Sequence, residues 1–233
     1  MNATNDIGRR EFLNRTSTAL GLLALGETIG GLPARGAETG AKKSPPDRAA
    51  LEASIKEMEA DGPIYLRIPP PDGRFLSLLV EATRAKNVLE IGTSHGYTAI
   101  WISRGLEETD GKLTTVEILP DRVEMARKHL GQAGLSHRVT FKTGDAHQLL
   151  PSLEGPFDFV FLNADKGGQV DYFHKLVPQK LLPGGLLIAY SAIQQREKMK
   201  DYLDLVGQQL EFDTVVLSCT MDDGFAVSCR KRK

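Results

Sequence analysis

Cysteine is scarce: only Cys219 and Cys229 occur in 233 residues, so no disulfide framework holds this chain together. Both fall near the C-terminus in neighbouring strand-like stretches. Their spacing fixes no register that would join them, and two buried thiols are expected. An excess of one charge is also lacking, with 29 Lys and Arg against 30 Asp and Glu. No overall field draws such a chain to nucleic acid or to an anionic surface, and the partner expected is a small molecule. The short basic end, Arg230 to Lys233, reads as a solvated tail. The run "STALGLLALGETIGGL" is too short and too polar to span a bilayer well. His137, His147 and His174 show no metal-ligand spacing with each other or with the cysteines. No internal repeat appears.

What is present is ordinary globular composition, 41% hydrophobic and 25% charged, enough for the core of one domain. Residues 1–40 differ from the rest. "GRREFLN" precedes the weakly apolar run, and its Arg9 and Arg10 followed by Phe12 and Leu13 resemble a twin-arginine export signal. That pattern implies an export translocase as partner and the periplasm or cell envelope as destination. A disordered basic leader on a cytoplasmic protein is the other reading. After the linker "ETGAKKSPPD" a folded domain is expected over 47–233, where Asp47 can cap a first helix carrying Leu51, Ile55 and Met58 on one face.

From there strands and helices alternate. The strands expected are "NVLEI", "KLTTVE", "RVTFKTG", "FDFVFLN" and "GGLLIAY", with helices between them, and then "EFDTVVLS" and "GFAVSCR" without one. Short apolar strands linked by helices imply right-handed crossovers and a mainly parallel, doubly wound α/β sheet of seven strands covered on both faces. The last two, joined by "MDDG", are expected to be antiparallel. Trp101, with Ile100 and Ile102, reads as helix core.

In such a sheet ligands bind at the carboxyl ends of the strands. The first delivers "LEIGTSHGYT", with Glu90 ahead of Gly92 and Gly96, and the backbone there can approach a ligand closely. The G-x-G-x-x-G turn that holds a pyrophosphate is absent, because Ser94 stands two after Gly92. This disfavours a nicotinamide-dependent oxidoreductase. Glu90 can instead meet a cationic amine, Glu117 can accept from both ribose hydroxyls, and Asp145 with the Ala146 backbone N–H can read an adenine. An amine, a ribose and an adenine without phosphate describe S-adenosylmethionine.

The stretches "IPPPDGRFLSLL", "VLEIGTSHGYTAIWIS", "TTVEILPDRVEMAR", "GDA", "FDFVFLNADK", "LLPGGLLIAY" and "MDDGFAV" resemble the class I S-adenosylmethionine-dependent O-methyltransferases of the caffeoyl-CoA and catechol type, whose fold is Rossmann-like. By that resemblance Glu90 and Gly92 border the methionine end of the cofactor, and Thr93 and Gly96 of the same turn are counted among its binding residues. Thr98 matches a hydroxyl residue that binds its carboxylate, Glu117 the ribose acid, and Ala146 the adenine contact. Leu66 and Ile68 match a lid. A homodimer is implied as well.

The family ends the fourth strand in an aspartate that holds a divalent cation, and here the residue is Asn163. The Asp and Asn that complete the family's metal site correspond to Ser191 and Ala192. One amide and one hydroxyl offer no charge to offset dehydration of a hard cation, so no metal is expected. Asn163 then remains as a hydrogen-bonding residue for acceptor or cofactor, and Lys166, matching the family's lysine beside the acceptor hydroxyl, becomes the candidate base. A surface lysine paired with Asp165 is the bland alternative for Lys166, and a structural filler that for His95. Two activities remain open: an O-methyltransferase acting on a small aromatic hydroxyl, or an exported, catalytically silent protein that uses the fold for binding.

Overall fold

Strand β1 (Asn87–Ile91) is apolar apart from its first residue and Glu90, is buried on both faces beyond Asn87, and forms the centre from which the sheet grows in both directions. In the computed structural model, residues 48–60, 68–177, 179–221 and 223–232 are described, and all belong to the compact unit Lys43–Lys233. The leader and Leu66 lie outside the described residues.

The order of elements is α1 (Arg48–Ala60), α2 (Pro70–Thr83), β1, α3 (Tyr97–Thr109), β2 (Lys112–Glu117), α4 (Pro120–Gln132), β3 (Val139–Thr143), α5 (Ala146–Leu149), β4 (Phe157–Leu162), α6 (Gln169–Leu176), β5 (Leu181–Tyr190), α7 (Lys200–Gln208), β6 (Phe212–Leu217) and β7 (Phe225–Arg230). Seven strands form one sheet in the order β3-β2-β1-β4-β5-β7-β6. The first five run parallel, and β7 is antiparallel to both β5 and β6. This is the doubly wound sheet with an antiparallel C-terminal pair that the strand pattern predicts. The winding reverses between β1 and β4, where the chain returns from the β3 edge to the middle.

Period-two alternation sorts the central strands onto two cores. Val88, Phe159, Phe161, Ile188 and Phe225 face a core shared with α1, α2 and α3. Leu89, Ile91, Val160, Leu162, Leu187 and Ala226 face the other, shared with α6 and α7. Trp101 lies in the first core, as expected, 3% exposed.

Two expectations for the C-terminal strands need correction. Cys219 is exposed in the turn after β6, and Cys229 is half-buried on β7, so the thiols are not both core residues. Arg230 is not part of a solvated tail: it closes β7, is 9% exposed, and donates to the Leu181 carbonyl at 2.5 Å and to Glu211 at 3.2 Å. The strand ends at Arg230, as the stretch "GFAVSCR" predicts, and those partners satisfy the guanidinium inside the fold.

Helices α2 and α3 approach closely through small residues. A Cβ at Gly105 would lie 2.7 Å from the Ser77 carbonyl oxygen and 2.9 Å from the Val80 side chain. Backbone cannot yield as a flexible side chain does, so Gly105→Ala is expected to destabilise the protein by about 2 kcal/mol through overpacking. Urea denaturation of the full chain would measure this, and an unchanged midpoint would show that the helices separate freely.

Candidate active site

The turn after β1 is shaped by three residues in the left-handed region, Gly92 (φ 98°), Ser94 (φ 48°) and Gly96 (φ 88°). Its amides turn toward β2. Gly92 and Thr93 donate to the Val116 carbonyl at 2.9 and 3.3 Å, and Ser94 donates to the Glu117 carboxylate at 2.8 Å. Those three donors are spent inside the protein, so they cannot cradle a pyrophosphate. Gly96 caps α3.

Beneath the turn lies a fully buried polar cluster. Thr93 donates to Thr115, Thr115 donates to one oxygen of Glu90 at 2.6 Å, and Thr98 donates to the other. Glu90 and Thr115 are both completely inaccessible. Glu90, Thr93 and Thr98, read from the sequence as cofactor contacts, therefore stand one layer below the cavity surface and clamp β1, β2 and α3 together. Burial pushes the Glu90 carboxyl up to about 7, against the lowering effect of the two threonine hydroxyls.

The strand ends enclose a cavity of about 1090 Å³. Its wall includes Gly92, Glu117, Asp145, Ala146, Asn163, Lys166 and Ile68, so the structure gathers most of the predicted contacts in one place. Glu117 is held by the Ser94 amide and by the Leu119 amide at 3.1 Å, one on each carboxylate oxygen. Each oxygen retains a lone pair for a ligand. Asp145 caps α5 by accepting from the His147 amide at 2.8 Å. The acids thus line up along β2 and β3, on one side of the switch point.

On the β4 and β5 side stand Asn163, Lys166, Tyr190, Ser191 and Asp223. The Lys166 amine is 3.4 Å from the Asn163 side-chain oxygen. Burial brings the Lys166 amine down to about 8, while Asp223 and then Asp165 pull it back up. Asp165 accepts from the Tyr172 hydroxyl at 2.5 Å, which is a second partner competing with the lysine. His95 does not line the cavity; its carbonyl contacts His129 at 2.8 Å.

Sequence reading missed several wall residues. Tyr190 carried a usable signal, as the polar-tipped last residue of an apolar strand. Asp223 did not, since its place depends on β7 returning antiparallel beside β5. His147 was set aside as metal ligand only; its ring stacks on Tyr172 at 4.4 Å and contacts Asp171 at 2.5 Å.

A doubly wound sheet with Glu117 and Asp145 at its strand ends and no free phosphate cradle in the first turn is the arrangement expected of a class I S-adenosylmethionine-dependent methyltransferase. The chain belongs to the O-methyltransferase family, whose model matches residues 43–210. It is 38% identical over 152 residues to a catechol O-methyltransferase of Niastella koreensis, covering 64% of this chain and 67% of that one. It is 32% identical over 196 residues to a catechol O-methyltransferase of Mycobacterium tuberculosis, covering 78% and 89%. Among solved structures, an O-methyltransferase from Bacillus cereus in complex with SAH matches with a TM-score of 0.69 at 28% identity, over 80% of this chain and 92% of that one. The protein is an enzyme of S-adenosylmethionine-dependent O-methylation.

The buried Glu90 has a measurable consequence. The unfolded chain releases this proton near 4.5 and the folded chain keeps it until about 7, so this group lowers stability as pH rises across that window. Glu90→Gln is expected to remove the loss, its stability relative to wild type rising by roughly 3 kcal/mol between about pH 5 and about pH 8. Urea melts of both proteins at the two pH values would show it. A difference that stays flat with pH would mean that Glu90 ionises as readily in the fold as in the unfolded chain.

Proposed function

We propose that the protein methylates the hydroxyl of a small aromatic acceptor without a divalent cation, with Lys166 accepting the acceptor's proton. The Lys166 amine carries this reading: it stands on the cavity wall beside Asn163, and burial brings it down to about 8. An amine of that kind is neutral in about a tenth of molecules at pH 7, and is well matched to a phenol of pKa about 10. The names of the relatives, catechol and caffeoyl-CoA O-methyltransferases, support an aromatic hydroxyl acceptor.

Glu117 would hold the ribose of S-adenosylmethionine, Asp145 and Ala146 its adenine, and Gly92 and Asn163 the methionine end, with Ile68 in the wall above. When bound, that cofactor supplies an electrophilic methyl group, whose bond to sulfur breaks with the electron pair left on sulfur as the bond to oxygen forms. Lys166 takes the hydroxyl proton and becomes an ammonium. The rest is positioning, which needs no metal in principle.

The donor set argues against a cation. Asn163 offers an amide oxygen already facing an amine, Ser191 a hydroxyl, and Ala192 no donor at all. A hard divalent ion would meet no anionic oxygen at these three positions to offset its dehydration. The Arg9 and Arg10 leader supports delivery of the folded domain to the cell envelope by an export translocase, which fractionation of cells making the full chain would test.

Calorimetric titration of the full chain with S-adenosylmethionine in the presence of a chelator is expected to show micromolar-range binding. Lys166→Met should keep that affinity and lose about 10²- to 10³-fold in kcat with 3,4-dihydroxybenzoate as probe acceptor. Absence of binding would overturn the reading in favour of a silent fold. Binding that vanishes with the chelator would overturn its metal-free part.

A further inference from the structure

Tyr190 closes β5, and its hydroxyl lies 2.9 Å from one Asp72 oxygen and 3.0 Å from one Asp223 oxygen. A phenol has one proton and can donate to only one of them. The second contact requires a proton on a carboxyl, since two ionised carboxylates would set lone pairs against the phenol oxygen. Asp72 is the candidate holder. It is 1% exposed on the first turn of α2, and burial raises its carboxyl more than the Tyr190 bond lowers it. Tyr190 is held far above its usual range, chiefly by burial, so it donates and does not ionise. The bonds then run one way: Asp72 donates to Tyr190, and Tyr190 donates to Asp223.

We propose that Asp72, Tyr190 and Asp223 form a one-way hydrogen-bonded chain, with the shared proton on Asp72, that fixes the Asp223 carboxyl in the wall it shares with Lys166, which makes Tyr190 and Asp223 positioning residues for the base. The proposal rests on methyl transfer for its purpose and on this geometry for its existence. The three residues come from the start of α2, the end of β5 and the turn before β7, far apart in sequence. Tyr190 and Asp223 share the cavity wall with Lys166.

An amine in a half-buried wall takes up a proton more readily when an anion is already in place, because no solvent has to reorganise to meet the new charge. The charged groups facing Lys166 are Asp223 and Asp165, and Asp165 also accepts from Tyr172. Those facing Asp72 are Tyr190, Asp223 and the Cys219 thiol. The other titratable groups of the wall are Glu117 at the end of β2, Arg122 on the first turn of α4, Asp145 after β3 and His147 on α5, all on the far side of the switch point.

The test is the pH dependence of Lys166 acetylation by limiting acetic anhydride on the full-length protein, read by mass spectrometry. Asp223→Asn is expected to lower the Lys166 midpoint by about one pH unit, and Tyr190→Phe to lower it by less. Asp72→Asn, which imitates a protonated carboxyl and can still donate to Tyr190, should leave it within about 0.3 units of wild type. An unmoved midpoint in Asp223→Asn would overturn the chain's bearing on Lys166. A fall in Asp72→Asn as large as in Asp223→Asn would place the charge on Asp72 and overturn the proton assignment. Cofactor titration of the wild-type protein reports separately on methyl transfer, because the midpoints are read without cofactor or acceptor.

Discussion

The parallel pairing of β1 with β4 is the constraint on which the site depends. Ile91 stands opposite Leu162 at the end of the ladder, and the Asn163 amide donates to the Ile91 carbonyl at 2.8 Å. The two chains leave the sheet side by side there, so closely that a Cβ at Gly92 would fall 2.5 Å from the Asn163 carbonyl oxygen. Glycine is required by this contact, and its positive φ then turns the chain toward β2. Because β2 and β3 lie on one side of this junction and β5 and β7 on the other, Glu117 and Asp145 are separated from Lys166, Tyr190 and Asp223 by the topology itself.

Below that junction the Glu90 cluster gives the turn its shape. A carboxyl with no access to water is costly unless its oxygens are occupied, and here each oxygen receives a threonine hydroxyl from a different element. The same bonds join β1 to β2 and to the first turn of α3, and extend through Thr115 to Thr93 in the turn. The turn amides point to Val116 and Glu117, and Glu117 is held in the wall as a result. Rigidity in this buried layer thus sets the position of the Glu117 carboxylate in the cavity wall.

Much of this was legible in the sequence, and the limit has a physical cause. Alternating periods of 2 and 3.6 residues are local properties, so the strands, their parallel sense and the strand-end acids could be read directly. Whether a strand-end side chain faces the cavity or the layer below depends on packing against another element. That is why Glu117 and Asp145 stand where expected, whereas Glu90 and Thr98 turn toward each other. Asp72 reads as an ordinary first-turn acid of a helix, and only the approach of Tyr190 from β5 shows otherwise. The cysteines and Arg230 went astray for the same reason, since burial at the last strands is decided by an antiparallel return that no local period encodes.

The amide at position 163 and the lowered lysine belong together. A carboxylate at Asn163, beside the Lys166 amine, would favour the ammonium and hold the pKa near or above its ordinary value. In a site with a divalent ion, the metal's own charge offsets that carboxylate and acidifies the hydroxyl directly. Without the ion the carboxylate would disable the base. An amide keeps the shape and the hydrogen bond while adding no charge, leaving burial free to lower the lysine. In the proposed metal-free reaction, an uncharged residue at 163 and proton transfer to Lys166 are one electrostatic arrangement, with Asp223 supplying the limited negative charge that the protonated amine requires.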